Sequence, residues 1–232
     1  MNKANWTKLD FVALVLIPVQ FLVSWVLVSM QISNSQNTIL IVVFALGLLT
    51  VCILSKIYGT VLKDDWANYR KKLWLKILIS IVGAGCIVAI LQGVRLLMAP
   101  YMPAQISSDV SESDAILMPV ALIFLAAVLP LINAFQEEII FRHVLFFKQR
   151  GAKYVSIFFF FASAFLFGII HLNNFDGNLI RTVPYMVIAM CFNLVYLFTK
   201  NIWYSIGIHL AFNFIMAFVP TIFMVVMQRV II

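Results

Sequence analysis

Apolar residues along this chain come in long unbroken runs, not in the period of a surface helix or the alternation of a half-buried strand. Phe11 to Met30 holds no charged residue. Thr38 to Ser55 continues into Ile57 and Tyr58, and Leu73 to Met98 carries Lys76 and Arg95 near its ends. Ala115 to Phe135 runs on into a segment that includes Glu137, Glu138 and Arg142. Tyr154 to Leu172, Leu179 to Phe198 and Ile202 to Val219 follow, and Thr221 to Ile232 is apolar but short. About 20 apolar residues in a helix cross the ~30 Å hydrocarbon layer. The pattern therefore predicts an all-α, polytopic transmembrane helical bundle of seven spans. Thr221 to Ile232 either continues the seventh past Pro220 or forms a short eighth. Lys76 and Arg95 suit span ends, where long basic side chains snorkel to the interface.

Composition agrees with the pattern. The 232 residues are 64% hydrophobic and 11% charged, with mean hydropathy +1.05, whereas soluble domains are about a quarter charged. A soluble fold of this size needs more polar surface than that. No repeat or long hydrophilic linker divides the chain, so residues 1–232 read as one integral-membrane domain. The first apolar run exceeds the ~7–15 residues of a signal-peptide core and lacks a small-x-small cleavage site, so it is expected to be retained. Cys52, Cys86 and Cys191 sit singly within spans and imply neither a disulfide framework nor a CxxC metal site.

The net charge of +7 is unevenly placed. Lys3 and Lys8 precede the first span, and Lys56, Lys63, Arg70, Lys71, Lys72 and Lys76 cluster between the second and third. Lys148, Arg150 and Lys153 lie between the fourth and fifth, and Lys200 between the sixth and seventh. The alternate connections carry Asp109, Glu112 and Asp114, or Asp176 with Arg181 close by. By the positive-inside rule the N-terminus is expected in the cytoplasm. The excess base then implies membrane lipid as a partner. No basic stripe with interleaved aromatics speaks for nucleic acid.

Against this background the ionisable groups within spans stand out: Glu137, Glu138, Arg142, His171 and His209, with Asn213 as a neutral companion. Each charge at a helix centre costs about 2.5–3.5 kcal/mol on the insertion scale and is a functional hypothesis by default. Glu138 and Arg142 are four apart and pair on one helix face. Glu137, rotated about 100° from Glu138, points elsewhere. His209 and Asn213 are again four apart, and His171 comes from a third helix with Phe167 one turn before it. Three helices could thus converge a carboxylate, two imidazoles and an amide on one point, which are the parts of a hydrolytic site. A shielded glutamate suits a general base, a histidine beside it can orient water, and the other histidine and the asparagine can donate to an oxyanion. Glu138 and Arg142 would support the turn, and Phe167 would pack against the site. His143, just past the motif, reads as an interfacial residue without chemistry.

Glu-Glu-x-x-x-Arg, then Phe-x-x-x-His, then His-x-x-x-Asn, in that order on separate spans, resembles the CPBP family of CAAX proteases and bacteriocin-processing enzymes, also called Abi. The resemblance covers about residues 115–219. It implies an intramembrane endopeptidase similar to the type II CAAX prenyl endopeptidase, which removes the last three residues of a prenylated protein. It implies that Glu137 and His171 activate water while His209 and Asn213 stabilise the oxyanion. It also implies a membrane-associated protein or peptide as substrate, in a bacterial plasma membrane. The same family sits near bacteriocin systems, so the alternative is an immunity protein acting by binding, with or without proteolysis.

Rival chemistries fit less well. Ser163 and Ser205 lack a Gly-x-Ser context and read as helix-packing residues, Asp176 has no aspartate mate, and His-Glu-x-x-His is absent. Glu137, His171 and His209 would also make a zinc set with an open fourth position. Asparagine is a poor zinc ligand and a good oxyanion donor, which favours a site with no metal and no cofactor. A transporter would show inverted repeats, and none is found. One tension remains in the spacing. Glu137 and His209 lie roughly 13–17 Å from their nearest basic loops, but His171 lies about 27 Å from Lys153 at 1.5 Å per residue. The fifth helix must start later, tilt or dip, and the depth of the others points to a cavity reached from the cytoplasmic side.

Overall fold

The computed structural model describes residues 6–30, 36–102 and 119–231. Among these the chain is helical, with seven helices long and apolar enough to cross a membrane. Helix α1 spans Lys8–Ser29, α2 Gln36–Ile57, a short α3 Gly59–Tyr69 and α4 Leu73–Met98. Helix α5 spans Val120–Glu137 and passes into a π-helix, Glu138–Phe146. Helix α6 spans Lys153–Ile170, α7 Leu179–Thr199 and α8 Ile202–Asn213. A second π-helix, Phe214–Phe218, joins α8 to α9, Val219–Ile231. The expected start of the fourth span, Ala115 to Met118, lies outside the described residues.

The open question about the tail is settled: Ile202–Val226 forms one candidate span, so the tail continues the seventh helix. Pro220 stands in the first turn of α9, where a missing N–H costs little. Helix α3 is not foreseen by the apolar runs, because its sequence is mostly polar. It closes the start of α8: Asp65 Oδ2 accepts the Ile202 N–H at 2.8 Å, and Trp203 Nε1 donates to the Leu62 carbonyl at 2.8 Å. Orphan N–H groups at a helix start need such partners.

The helices pair as α6 along α7, α4 along α8 and α2 along α5. One apolar cluster joins α1, α2, the first π-helix, α6, α7 and α8, and a second joins α4, α7 and α8. Phe158 and Phe161 face outward, as suits lipid-facing residues, while Phe160 packs edge-on against Phe146. Small residues let α4 and α8 approach. A Cβ on Gly207 would sit 2.6 Å from both Ser80 Oγ and Tyr69 Oη, which hydrogen-bond each other at 3.1 Å. Gly207→Ala is expected to cost about 1–3 kcal/mol by overpacking, more than the ~0.5–1 kcal/mol a helix gains from that exchange. Thermal unfolding in detergent would read it as a lower midpoint.

A buried carboxylate ties α1 to the hairpin beyond the Glu-Glu segment. Asp10 caps its own helix by accepting from the Thr7 N–H (2.7 Å) and hydroxyl (2.8 Å). It also accepts from the Tyr58 hydroxyl at 2.8 Å and from Lys148 Nζ at 2.6 and 2.7 Å. Asp10→Asn removes the counter-charge of Lys148 and is expected to lower stability by about 1–3 kcal/mol. In detergent, α1 would then become accessible to protease before the rest of the bundle.

Candidate active site

Three helices build the site. Pro130 lies within α5, and the helix gives way to the π-helix directly after Glu137. A π-helix widens the turn and is frequently found at functional sites. Every residue of Glu138–Phe146 is buried. The two adjacent glutamates separate as their spacing requires. Glu138 is fully buried and turned to α8: its Oε1 accepts from His209 Nδ1 at 2.8 Å, and its Oε2 accepts from the Ser205 hydroxyl. Arg142 Nε lies 3.3 Å from Glu138 Oε1. Glu137 faces the open space. Its Oε2 is 3.8 Å from His209 Nε2, beyond hydrogen-bond range. Among the described residues no side chain hydrogen-bonds its carboxylate.

The Glu138–Arg142 pair foreseen from the i,i+4 spacing is present, but Glu138 does more than hold Arg142. It orients His209, which no helical spacing reveals because the partners lie on different helices. Ser205 is the residue passed over. It stands four before His209, which stands four before Asn213, so a period-four polar stripe on α8 was there to be read. Neither serine is a mere packing residue: Ser163 Oγ accepts from Asn193 Nδ2 at 2.7 Å. His143 is buried beneath the bundle surface and hydrogen-bonds the Tyr196 hydroxyl at 2.8 Å, so it is not interfacial.

Arg142 is sandwiched between rings, its Cζ 4.2 Å from the Phe167 centroid and 5.1 Å from that of Phe192. Phe167 therefore packs on the supporting arginine and also meets the His209 ring edge-on at 5.9 Å. His171 follows the last residue of α6. Its Nδ1 is 2.8 Å from the Phe167 carbonyl, which can only accept, so Nδ1 carries the proton and Nε2 is the free nitrogen of the neutral ring. The ring stacks on Tyr185, with centroids 4.5 Å apart. Asn213 Nδ2 donates to the Pro130 carbonyl at 2.8 Å, which fixes the amide while leaving a second N–H.

Glu137, His171, His209 and Asn213 all line one cavity of about 320 Å³ between α4, α5, α7 and α8. The apparent depth mismatch of His171 closes because α6 begins outside the packed layer. Tyr154 is 84% exposed, and the buried face of α6 starts only at Ser163. The cavity's buried end holds Glu137 and His209. Its exposed end is lined by Arg95, Asn174 and Met216. Arg95 and Asn174 lie at the helix ends remote from the basic loops, not on the side from which entry is expected, and Met216 lies within its span: counting residues gives depth but not direction. A second cavity of about 200 Å³, lined by Gln20, Ser24, Asn133 and Gln136, meets the first at Glu137 and His171. Its polar wall is ordered by Gln20 Nε2, which donates to Gln136 Oε1 at 2.9 Å and to Thr50 Oγ1 at 2.8 Å.

Zinc would need Glu137, His171 and His209 gathered on one point. Among the described residues no group of three or more His, Cys, Asp or Glu stands close enough to hold a metal ion.

Residues 119–215 match the family model described as type II CAAX prenyl endopeptidase Rce1-like. No curated protein and no solved structure matches the chain. The matched segment contains Glu137, Glu138, Arg142, Phe167, His171, His209 and Asn213, and with them the cavity's buried end. The match takes in less than half of the chain, and over that stretch this helical membrane segment is similar to the CAAX proteases (CPBP family), whose chemistry is peptide-bond hydrolysis.

Proposed function

We propose that the chain is an intramembrane endopeptidase that cleaves a membrane-associated protein or peptide by direct attack of water. Glu137 accepts the proton of a water lying between its carboxylate and His171 Nε2. The water oxygen adds to the scissile carbonyl carbon, and the resulting oxyanion takes hydrogen bonds from His209 and Asn213. Because His209 Nδ1 is committed to Glu138, its Nε2 donates only when the ring carries both protons. Collapse of the intermediate breaks the C–N bond, and the proton held by Glu137 passes to the leaving amine. No acyl-enzyme forms and no metal or cofactor takes part.

The observation that carries this reading is the contrast between the two glutamates. Glu138 is saturated by His209, Ser205 and Arg142, while Glu137 opens to a cavity that also holds His171, His209 and Asn213. Placed in a bacterial plasma membrane with the N-terminus in the cytoplasm, the exposed end of the cavity faces away from the cytoplasm. Substrate would enter from that face or from the lipid beside it.

The test is a membrane peptidome by mass spectrometry from cells lacking the protein, complemented with wild type, Glu137→Ala or His209→Ala at matched membrane levels. New peptide ends with wild type alone support the protease, and retained activity in 1,10-phenanthroline supports the metal-free site. If all three give one peptidome yet all protect the cells from a peptide toxin, the protein acts as an immunity protein by binding.

A further inference from the structure

Two cavities meet at the site, and their linings divide its residues by role. Glu137 and His171, the pair assigned to the attacking water, line both. His209 and Asn213, assigned to the oxyanion, line only the larger. The substrate carbonyl therefore belongs to the larger cavity, and a chain seated there covers the side of Glu137 that faces it. Each cut still consumes one water: its oxygen bonds to the carbonyl carbon, and its proton passes through Glu137 to the leaving amine. The smaller cavity, about 200 Å³ between α1, α2 and α5, reaches the same carboxylate from another side. A water takes up about 30 Å³ in the liquid, so this space suits a small cluster of them.

The wall chooses the occupant. Gln20 is 8% exposed and gives away both amide protons, to Gln136 Oε1 at 2.9 Å and to Thr50 Oγ1 at 2.8 Å. Its own Oε1 receives no donor among the described residues. Gln136 Nε2 in turn donates to Asn133 Oδ1 at 2.8 Å, which holds the lining in one arrangement. Ser24 Oγ donates to the Gln20 carbonyl at 2.8 Å, so towards the cavity it can only accept. The Glu137 carboxylate is the third acceptor. Three acceptors around one cavity call for a ligand that donates hydrogen bonds. A lipid chain would leave them unpaired, which burial penalises, and an anion would face their lone pairs. We propose that this cavity is a water chamber: it supplies the attacking water to Glu137 from behind the seated substrate, and Gln20 is the positioning residue that orders it. Asn174, exposed and on the rim of both cavities, lets the chamber refill from the same aqueous side. This rests on the protease reading, and it gives α1, outside the matched segment, a part in the reaction.

The test uses the purified full chain in phosphatidylcholine nanodiscs, and its first arm needs no substrate. Hydroxyl radicals made by millisecond X-ray pulses label side chains that touch ordered water. Ile17, 6% exposed, lines the chamber, whereas Ile139, 0% exposed, lines neither cavity. Ile17 is expected to be labelled about tenfold faster than Ile139, because buried water stays at polar groups. Gln20→Leu removes the amide, and Val43→Phe fills the space while leaving the Gln20 bonds in place. Both should bring Ile17 down to the Ile139 rate. The second arm measures cleavage of an N-palmitoylated peptide that spans a cut site found in the membrane peptidome. Both variants should lower kcat about tenfold to a hundredfold with KM unchanged, since they misplace the water and not the peptide. Gln20→Asn should restore part of both readouts, and if Gln20→Leu fails to fold, Val43→Phe carries both arms. A wild-type Ile17 as silent as Ile139 overturns the proposal, as does a labelled chamber whose loss leaves kcat unchanged. A rise in KM at constant kcat makes the cavity a peptide seat, which also overturns it. Each of these leaves the protease reading intact. No Glu137-dependent cut in wild type removes the protease reading and this proposal together.

Discussion

Glu137→Gln is expected to abolish turnover while leaving the fold intact. A positioned general base is worth about 10²–10⁴ in rate, so kcat should fall by about a thousandfold, with KM for peptide little changed. Stability should hold or rise, because the substitution removes a carboxylate that no side chain among the described residues hydrogen-bonds and that lines a cavity within the bilayer span. Purified protein in detergent, assayed for peptide cleavage and for thermal unfolding, reads both quantities. A Glu137→Gln protein that unfolds early would make Glu137 a structural residue. One that keeps near-normal turnover would remove it from the mechanism.

Its neighbour should behave in the opposite way. Glu138→Gln is expected to destabilise the bundle by about 3–5 kcal/mol, since it leaves Arg142 as a buried charge without compensation. Arg142 has no freedom to find another partner: its three guanidinium nitrogens are buried without a hydrogen bond, and Phe167 and Phe192 hold its faces. Removing both charges should restore much of the loss, because a buried ion pair replaced by apolar groups is often neutral or stabilising. Activity should not return fully with stability in Glu138→Gln/Arg142→Met, because glutamine keeps one neutral acceptor oxygen where the carboxylate gave two, one to His209 and one to Ser205. A double-mutant cycle on unfolding free energy, run beside kcat, separates the two roles. Equal losses of stability in the single and double variants would mean that Glu138 acts through Ser205 and His209 rather than through Arg142.

These two residues are adjacent and chemically identical, and the helix rotation between them is what separates an acid that lines the cavity from an acid bonded within the bundle. That much was legible in the sequence. So were the seven spans, because ~30 Å of hydrocarbon sets the length of an apolar run. So too were the candidates Glu137, His171, His209 and Asn213, because an ionisable group in the bilayer is too costly to be incidental. Arg142 and Phe167 were legible as support through i,i+4 spacing alone. Helix α3 was not, since its short polar sequence carries no run and its role is to satisfy the first N–H groups of a helix more than 130 residues later.

Contacts between helices are the part that sequence spacing could not supply. Periodicity within one helix says which side chains share a face but not which foreign face they meet. The bond from His209 to Glu138, the stacking of Tyr185 on His171 and the inward turn of Arg95 are all meetings of that kind. The two π-helices are of the same origin: each follows directly on a site residue, Glu137 or Asn213, and no local propensity marks a widened turn. The sequence by itself determined that this protein lives in a membrane and which residues are too expensive there to be idle. The tertiary structure decided which glutamate is saturated, which stays open to the cavity, and at which end that cavity is exposed. It alone could do so, because direction and pairing in a helical bundle are set by packing between helices whose residues lie far apart in the chain.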